Sequence, residues 1–308
     1  MNRQEWLEKR HNFMTASDVP AIMGLSKYRS PIEVWNEKVN GHTDENIAPA
    51  AEIGLDIEPV LVRKVGTILK CEAVWLGENL DVAFKVHPHY EYIAATIDGL
   101  ATLDEQSVQR AEIEFPTDDI KPGTYIIECK TTSKWDGKED IPQEWVAQCQ
   151  TQMAVHGIDG VILIVLVMGY NRHYELRFIP FDKSYWDDHI LPKIVEFWTY
   201  VQTETLPPVT SPDDVDIIKS IYPNVNDMVI EDNELEDMID RLNQLKEQRN
   251  TLDTEIALLE GELRRKGENY KAILAGKYVV DFALQNRKET VIPAKTIKVM
   301  RIKQRKTN

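Results

Sequence analysis

Val161 to Met168 is the longest unbroken apolar run in the chain, and Gly160 and Gly169 bound it. The run is far too short to span a bilayer, which takes about 20 residues. It has the length of a strand buried on both faces. Such a strand sits centrally in a sheet with layers above and below, so the chain must fold around it. His173 to Ile179 alternates polar and apolar as its antiparallel neighbour, and Tyr125 to Lys130 reads as a further strand. Pro142 opens a helix that runs to Val155 and stops at Gly157. Strands separated by helices predict an α+β class, a mixed α/β sheet flanked by helices.

The flanking segments fit that frame. Thr15 or Ser17 is placed to cap a short helix from Asp18 to Met23, stopped by Gly24. Ser30-Pro31 starts a second helix, Ile32 to Val39, ended by Gly41. Ala50 to Leu69 is amphipathic, with Ile57, Leu61 and Val65 along one side. Val82 to Val86 alternates like a strand, His87-Pro88 is a turn, and Tyr92 to Ile97 is a short strand ending at Asp98-Gly99. Residues 104–123 are acidic and read as an irregular hairpin excursion. Trp186 to Val201 is a last core helix, interrupted early by Pro192.

Leu206-Pro207-Pro208 and Ser211-Pro212 mark a linker. They divide a first domain, 1–204, from an extension, 205–308. Within the extension, residues 232–266 carry an apolar 3-4 spacing from Leu235 through Leu242, Leu245, Leu252, Ile256 and Leu259 to Leu263, with Arg249 on the seam. A coiled coil or a long helix laid on its own domain would each use that pattern. The tail after Gly276 reads as strands and then turns basic, with eight Lys/Arg and one acid from Arg287 onward.

The chemistry concentrates in Ile97-Asp98-Gly99, Ile127-Glu128-Cys129-Lys130 and the helix carrying Gln148 and Gln152. Strand alternation puts Glu128 and Lys130 on one face and the Cys129 thiol on the other. Two carboxylates can hold a hard cation such as Mg²⁺, and an ammonium beside them offsets charge on a phosphate. The same tripeptide would also suit an exposed strand edge with an ion pair. Gln148 and Gln152, one turn apart, read as a polar helix face, and Trp145, Met153 and Trp186 as core. His87 and His89 around Pro88 read as a turn. Three cysteines, Cys71, Cys129 and Cys149, lack metal-ligand spacing and fit reduced thiols.

Five ordered motifs resemble the YqaJ-like viral recombinase family, relatives of phage lambda exonuclease. They are Arg10 to Asp18 running on to Ile22-Met23-Gly24-Leu25-Ser26, then Gly54 to Pro59, Ala95 to Gly99, Ile127 to Lys130 and Gln148 to Met153. The resemblance covers about residues 8–200 and implies a PD-(D/E)XK restriction-endonuclease-like core, followed by a C-terminal helical, coiled-coil and β extension. It implies a Mg²⁺-dependent 5′→3′ exonuclease, with Mn²⁺ able to substitute, that leaves 3′ single-stranded tails on linear duplex DNA. Asp98 and Glu128 match metal carboxylates, the main-chain carbonyl of Cys129 a third ligand, and Lys130 the catalytic lysine. Glu58 matches a supporting acid and Gln148 a glutamine beside the site. Arg10, Ser17 and Thr96 resemble a pocket for a terminal 5′-phosphate. The family's partner is a single-strand annealing protein of the RecT/Redβ type. Its assembly is a trimer around DNA, and its setting is the bacterial cytoplasm during phage or prophage recombination. An endonuclease on the same core, or a DNA-end-binding and recruitment module without catalysis, are the alternatives.

A formal net charge of −15 argues against a surface uniformly coated for nucleic acid. It does not bear on a local basic site, because acid elsewhere limits nonspecific adhesion to DNA.

Overall fold

The computed structural model describes residues 3–41, 49–115, 120–135, 137–168, 172–224, 229 and 231–284. The chain divides into two compact units, Met1–Ile218 and Lys219–Asn308. In chain order the first unit holds α1 (Arg3–His11), β1 (Met14–Thr15), α2 (Val19–Ile22), α3 (Pro31–Asn40), α4 (Pro49–Leu69), β2 (Glu72–Trp75), α5 (Leu80–Ala83), β3 (Phe84–Val86), β4 (Ile93–Thr96) and β5 (Gly99–Leu103). It continues with α6 (Glu105–Glu114), β6 (Gly123–Thr132), α7 (Gln143–His156), β7 (Gly160–Val167), β8 (His173–Pro180), α8 (Lys183–Tyr185), a π turn (Trp186–Ile190) and α9 (Leu191–Gln202). Helix α10 (Asp214–Ile221) spans the division. The second unit holds α11 (Glu236–Gly267) and a hairpin of β9 (Ala272–Ala275) and β10 (Tyr278–Asp281).

The apolar run forms β7, and it is central: the five-stranded sheet is ordered β2-β5-β6-β7-β8. β6 and β7 run parallel, while β8 returns antiparallel on the outer side. One face of the sheet packs Ile127, Ile162 and Ile164 against Leu61, Val62 and Val65 of α4 and Val108 and Ala111 of α6. The other face packs Ile126, Leu163 and Val165 against Cys149 and Met153 of α7. Two helical layers thus enclose a mixed sheet, which is the α+β architecture expected. A smaller sheet, β1-β4-β3, carries the N-terminal motif beside it.

Local signals account for most element ends. Ser30 and Glu33 form a reciprocal capping box at α3, and Gly41 and Gly157 end α3 and α7 with φ of 66° and 68°. Pro192, which lacks an N–H, opens α9, and the turn before it widens to the π form.

Several expectations need correction. The acidic 104–123 segment is not an irregular hairpin: its first half is helix α6, capped by Asp104, whose Oδ1 accepts from the Ser107 N–H at 2.8 Å. The alternation in Val82–Val86 splits between α5 and β3. Helix α2 starts after Asp18, and neither Thr15 nor Ser17 caps it. Asp98 does not end a strand that pairs with Glu128's strand. β4 belongs to the smaller sheet, and Asp98 instead precedes β5, the strand that pairs with β6. The basic residues from Arg287 onward lie outside the described residues. Among the described residues, no helix is long and apolar enough to cross a membrane.

Gly99 shows how tightly the start of β5 is built. A Cβ there would lie 2.7 Å from the Val74 carbonyl oxygen and 3.1 Å from a methyl of Val62. Gly99→Ala should therefore push β2 off β5 and cost about 1–3 kcal/mol in urea unfolding. A cost below about 0.5 kcal/mol would show that this edge yields freely.

Candidate active site

β5 begins opposite Ile127, so from Glu128 onward β6 has β7 on one side and, among the described residues, no strand on the other. Asp98 fills that open edge: its Oδ2 accepts the Cys129 N–H at 2.8 Å. The N–H and C=O of one strand residue point to the same edge, so the Cys129 carbonyl faces Asp98's side as well. The Cys129 thiol packs with the α4-facing core, on the opposite face from the charged pair, as alternation requires.

Glu128 is 2 % exposed, and a buried carboxylate must be paired and hydrogen-bonded. Its Oε1 accepts from Lys130 Nζ at 2.7 Å and from Gln148 Nε2 at 2.7 Å. Its Oε2 accepts from Gln152 Nε2 at 2.6 Å. Lys130 also donates to Gln148 Oε1 at 2.9 Å, closing a triangle. Gln152 was expected on a polar face; it is fully buried, because the i,i+4 spacing on α7 aims both amides at β6. It is the site residue that motif reading missed. The only signal was two glutamines one turn apart on a helix whose neighbours are buried.

Burial alone would lower the Lys130 pKa, but the charges of Glu128 and Asp98 outweigh it and hold the side chain well above its usual range, as an ammonium. Asp98 also shifts upward, which for a carboxylate disfavours the charged form. Desolvation, then the charges of Glu128 and Glu58, push it well above normal. Carboxylates concentrated without enough positive charge are what a cation would relieve.

Arg10, Ser17 and Thr96 line one cleft. Arg10 Nη2 donates to Ser17 Oγ at 2.8 Å, and Thr15 Oγ1 lies 3.0 Å from Ser17 Oγ. Trp6 Nε1 donates to Thr96 Oγ1 at 3.0 Å, and the Arg10 guanidinium lies over the Trp6 ring at 4.6 Å. Behind them sits a buried network that the sequence did not announce. Asp18 Oδ2 accepts from the Thr15 N–H at 2.9 Å and from Thr15 Oγ1 at 2.7 Å, and pairs with Lys38 Nζ at 2.8 Å. Its Oδ1 accepts from Arg29 at 2.7 Å. Lys38 also donates to the Arg10 carbonyl at 3.1 Å, so one carboxylate fixes both ends of the Arg10–Ser17 segment. Since the Thr15 hydroxyl donates to Asp18, the Ser17 hydroxyl donates to Thr15 and offers lone pairs to Arg10.

These groups share one cleft of about 440 Å³. Arg10, Thr15, Ser17 and Thr96 line it together with Glu58, Asp98 and Gln148, while Trp6, Trp75, Leu55 and Leu80 supply apolar wall. Trp75 Nε1 is buried without a hydrogen-bond partner. The His87 ring stacks with Trp186 at 5.9 Å, and Met153 is 1 % exposed, so these are packing residues.

Among the described residues, no three His, Cys, Asp or Glu side chains form a ready-made metal cage. The donor set nevertheless fits a hard divalent ion. Asp98 and Glu128, with Glu58 close enough to act on Asp98's charge, offer only oxygen. Gln152 Oε1 is a buried acceptor without a partner next to Glu128.

A mixed sheet flanked by helices carries Glu128-x-Lys130 on β6, with Asp98 closing that strand's open edge. Residues 5–159 match the model of the YqaJ-like viral recombinase domain, and the chain belongs to that family. It is 26 % identical over 214 residues to the uncharacterized protein YqaJ of Bacillus subtilis strain 168, covering 64 % of this chain and 56 % of that protein's length. Among solved structures it is similar to an alkaline exonuclease, LHK-Exo, from Laribacter hongkongensis, at 19 % identity and TM-score 0.48, over 71 % of this chain and 99 % of that one. A phage-related exonuclease from Haemophilus somnus 129PT aligns at 12 % identity and TM-score 0.37, over 70 % of this chain and 99 % of that one.

Burial would raise the Asp18 pKa, but Lys38 and Arg29 outweigh it and hold the carboxyl below its ordinary value of 3.8. A lowered folded-state value means that this stabilisation is present above about pH 4 and fades as pH falls toward the folded value. Asp18→Asn should cost about 2–4 kcal/mol at pH 7, since it strands buried cations, and less at pH 3. Urea unfolding at both pH values checks this, and a cost unchanged with pH would contradict the pairing.

Proposed function

We propose that this chain is a Mg²⁺-dependent 5′→3′ exonuclease that degrades one strand of linear duplex DNA and leaves 3′ single-stranded tails. The observation that carries the reading is the shared cleft: an anion pocket of Arg10, Ser17 and Thr96 opens onto Asp98, Glu58 and Gln148. A pocket that holds a terminal 5′-phosphate would set the scissile bond one nucleotide inward, over the carboxylates. An arginine fork with hydroxyl partners suits a phosphate monoester, which only a strand end supplies.

Each residue has a role in that chemistry. Lys130, held as an ammonium, offsets negative charge building on the phosphate. Gln148 and Gln152 lock the Glu128 carboxylate so that its oxygens do not rotate away. Asp98 is fixed through the Cys129 N–H. Asp98, Glu128, the Cys129 carbonyl and Glu58 would hold Mg²⁺ or Mn²⁺, which supplies phosphate polarisation and a water of lowered pKa. The biological reading follows the family: a phage or prophage enzyme of the bacterial cytoplasm, assembled as a trimer and handing its tails to a RecT/Redβ-type annealing protein.

Digestion of end-labelled duplexes tests the proposal. Linear duplex with 5′-phosphate should be consumed with Mg²⁺ and spared with chelator. Lys130→Ala and Glu128→Ala should lose at least about 10²–10³-fold in rate in protein that still unfolds cooperatively, at a lowered midpoint since each leaves a buried partner unpaired. Full activity in either variant would remove the mechanism. Arg10→Ala should erase the preference for 5′-phosphate over 5′-hydroxyl ends with less effect on cleavage itself. Cleavage of covalently closed circles would select an endonuclease, and binding of ends without hydrolysis a recruitment module.

A further inference from the structure

Helix α11 is 32 residues long and carries its apolar residues in the open. Leu245 is 45 % exposed, Leu252 57 %, Ile256 53 % and Leu259 61 %. An amphipathic helix of this length gains its stability from burying that seam. Heptad phasing puts Leu242, Arg249 and Ile256 at a positions and Leu245, Leu252 and Leu259 at d positions. We propose that α11 pairs antiparallel with α11 of a second copy of this chain.

Charge decides the partner and its direction. In a parallel, in-register pair, g positions face the e positions of the next heptad. Arg241 would then meet the partner's Lys246, Glu255 would meet the partner's Glu260, and the two Arg249 side chains would oppose one another on the seam. Every one of these contacts joins like charges. Reversing one helix aligns a with d: Leu242 with the partner's Leu259, Arg249 with the partner's Leu252, and Ile256 with the partner's Leu245. The same register sets Leu263 against the partner's Met238, so the seam stays continuous.

The flanking charges become complementary in that register, where g faces g and e faces e. Arg241 meets the partner's Glu262, and Lys246 meets the partner's Asp253. Two-fold symmetry makes each contact twice. Arg249 is accommodated, because its Nε already lies 3.8 Å from Asp253 of its own helix and its stem can cross the seam. Glu262 holds Arg265 in the single chain but remains exposed and within reach of a helix alongside.

Sedimentation equilibrium on the full chain tests the pairing. Whatever assembly residues 1–218 make on their own, α11 pairing doubles it, and Leu252→Asp should halve the mass. Arg241→Glu should weaken association about tenfold, since two attractive contacts become repulsive. The double variant Arg241→Glu with Glu262→Arg should recover it. The proposal is overturned if Leu252→Asp leaves the mass unchanged, as it would if the chain's own residues cover the seam. It is overturned equally if Arg241→Glu strengthens association, which a parallel pair would do by losing the Lys246 clash. These exposed positions lie outside the nuclease unit, so its circular dichroism and melting should be unchanged in all three variants.

Discussion

The buried carboxylate of Glu128 is the constraint around which the first unit is arranged. A charge at 2 % exposure is tolerable only if cation and amide donors reach both of its oxygens. Meeting that demand fixes where α7 lies, because Gln148 and Gln152 have to approach from one helix face. It fixes the parity of β6, because Lys130 has to share that face. It also explains why β5 starts where it does. Ending the ladder at Ile127 frees the edge at which Asp98 caps the Cys129 N–H.

A second buried carboxylate, Asp18, does the same work for the N-terminal motif. Its oxygens hold Thr15, Lys38 and Arg29, and through Lys38 the Arg10 carbonyl. The groups each centre holds meet in one cleft, lined by Arg10, Thr15 and Ser17 from the second and by Gln148 and Asp98 from the first, with Glu58. Trp6, Trp75, Leu55 and Leu80 line the same cleft with apolar surface.

The sequence made some of this legible and hid the rest for physical reasons. The apolar run announced β7, where Val161 to Val165 and Val167 are buried. Glu128 and Lys130 could be placed on one face because strand parity is strict, whereas Asp98's strand was misassigned because an Asp-Gly can end one strand or begin the next. The acidic 104–123 stretch concealed a helix, since its cap uses Asp104 with Ser107 in place of the commoner Ser-x-x-Glu order. Gln152 and the Asp18 network were invisible because their roles are set by partners 24 residues away for Gln152 and 11 for Asp18. In the second unit the heptad was plain, but its partner's direction emerges only when the e and g charges are laid side by side.

In the proposed mechanism it is the negative charge of Glu128, rather than its shape, that matters. Glu128→Gln keeps the size of the side chain and removes that charge, while turning one of its two acceptor oxygens into a donor. The initial rate of nucleotide release from a 5′-phosphorylated linear duplex, measured with Mg²⁺ beside the unaltered chain, is therefore the most direct test. A loss of at least about a hundredfold in protein that still unfolds in one cooperative transition, though at a lower midpoint because Lys130 loses its buried partner, is the predicted result, and a rate within a few-fold of the unaltered chain would contradict it.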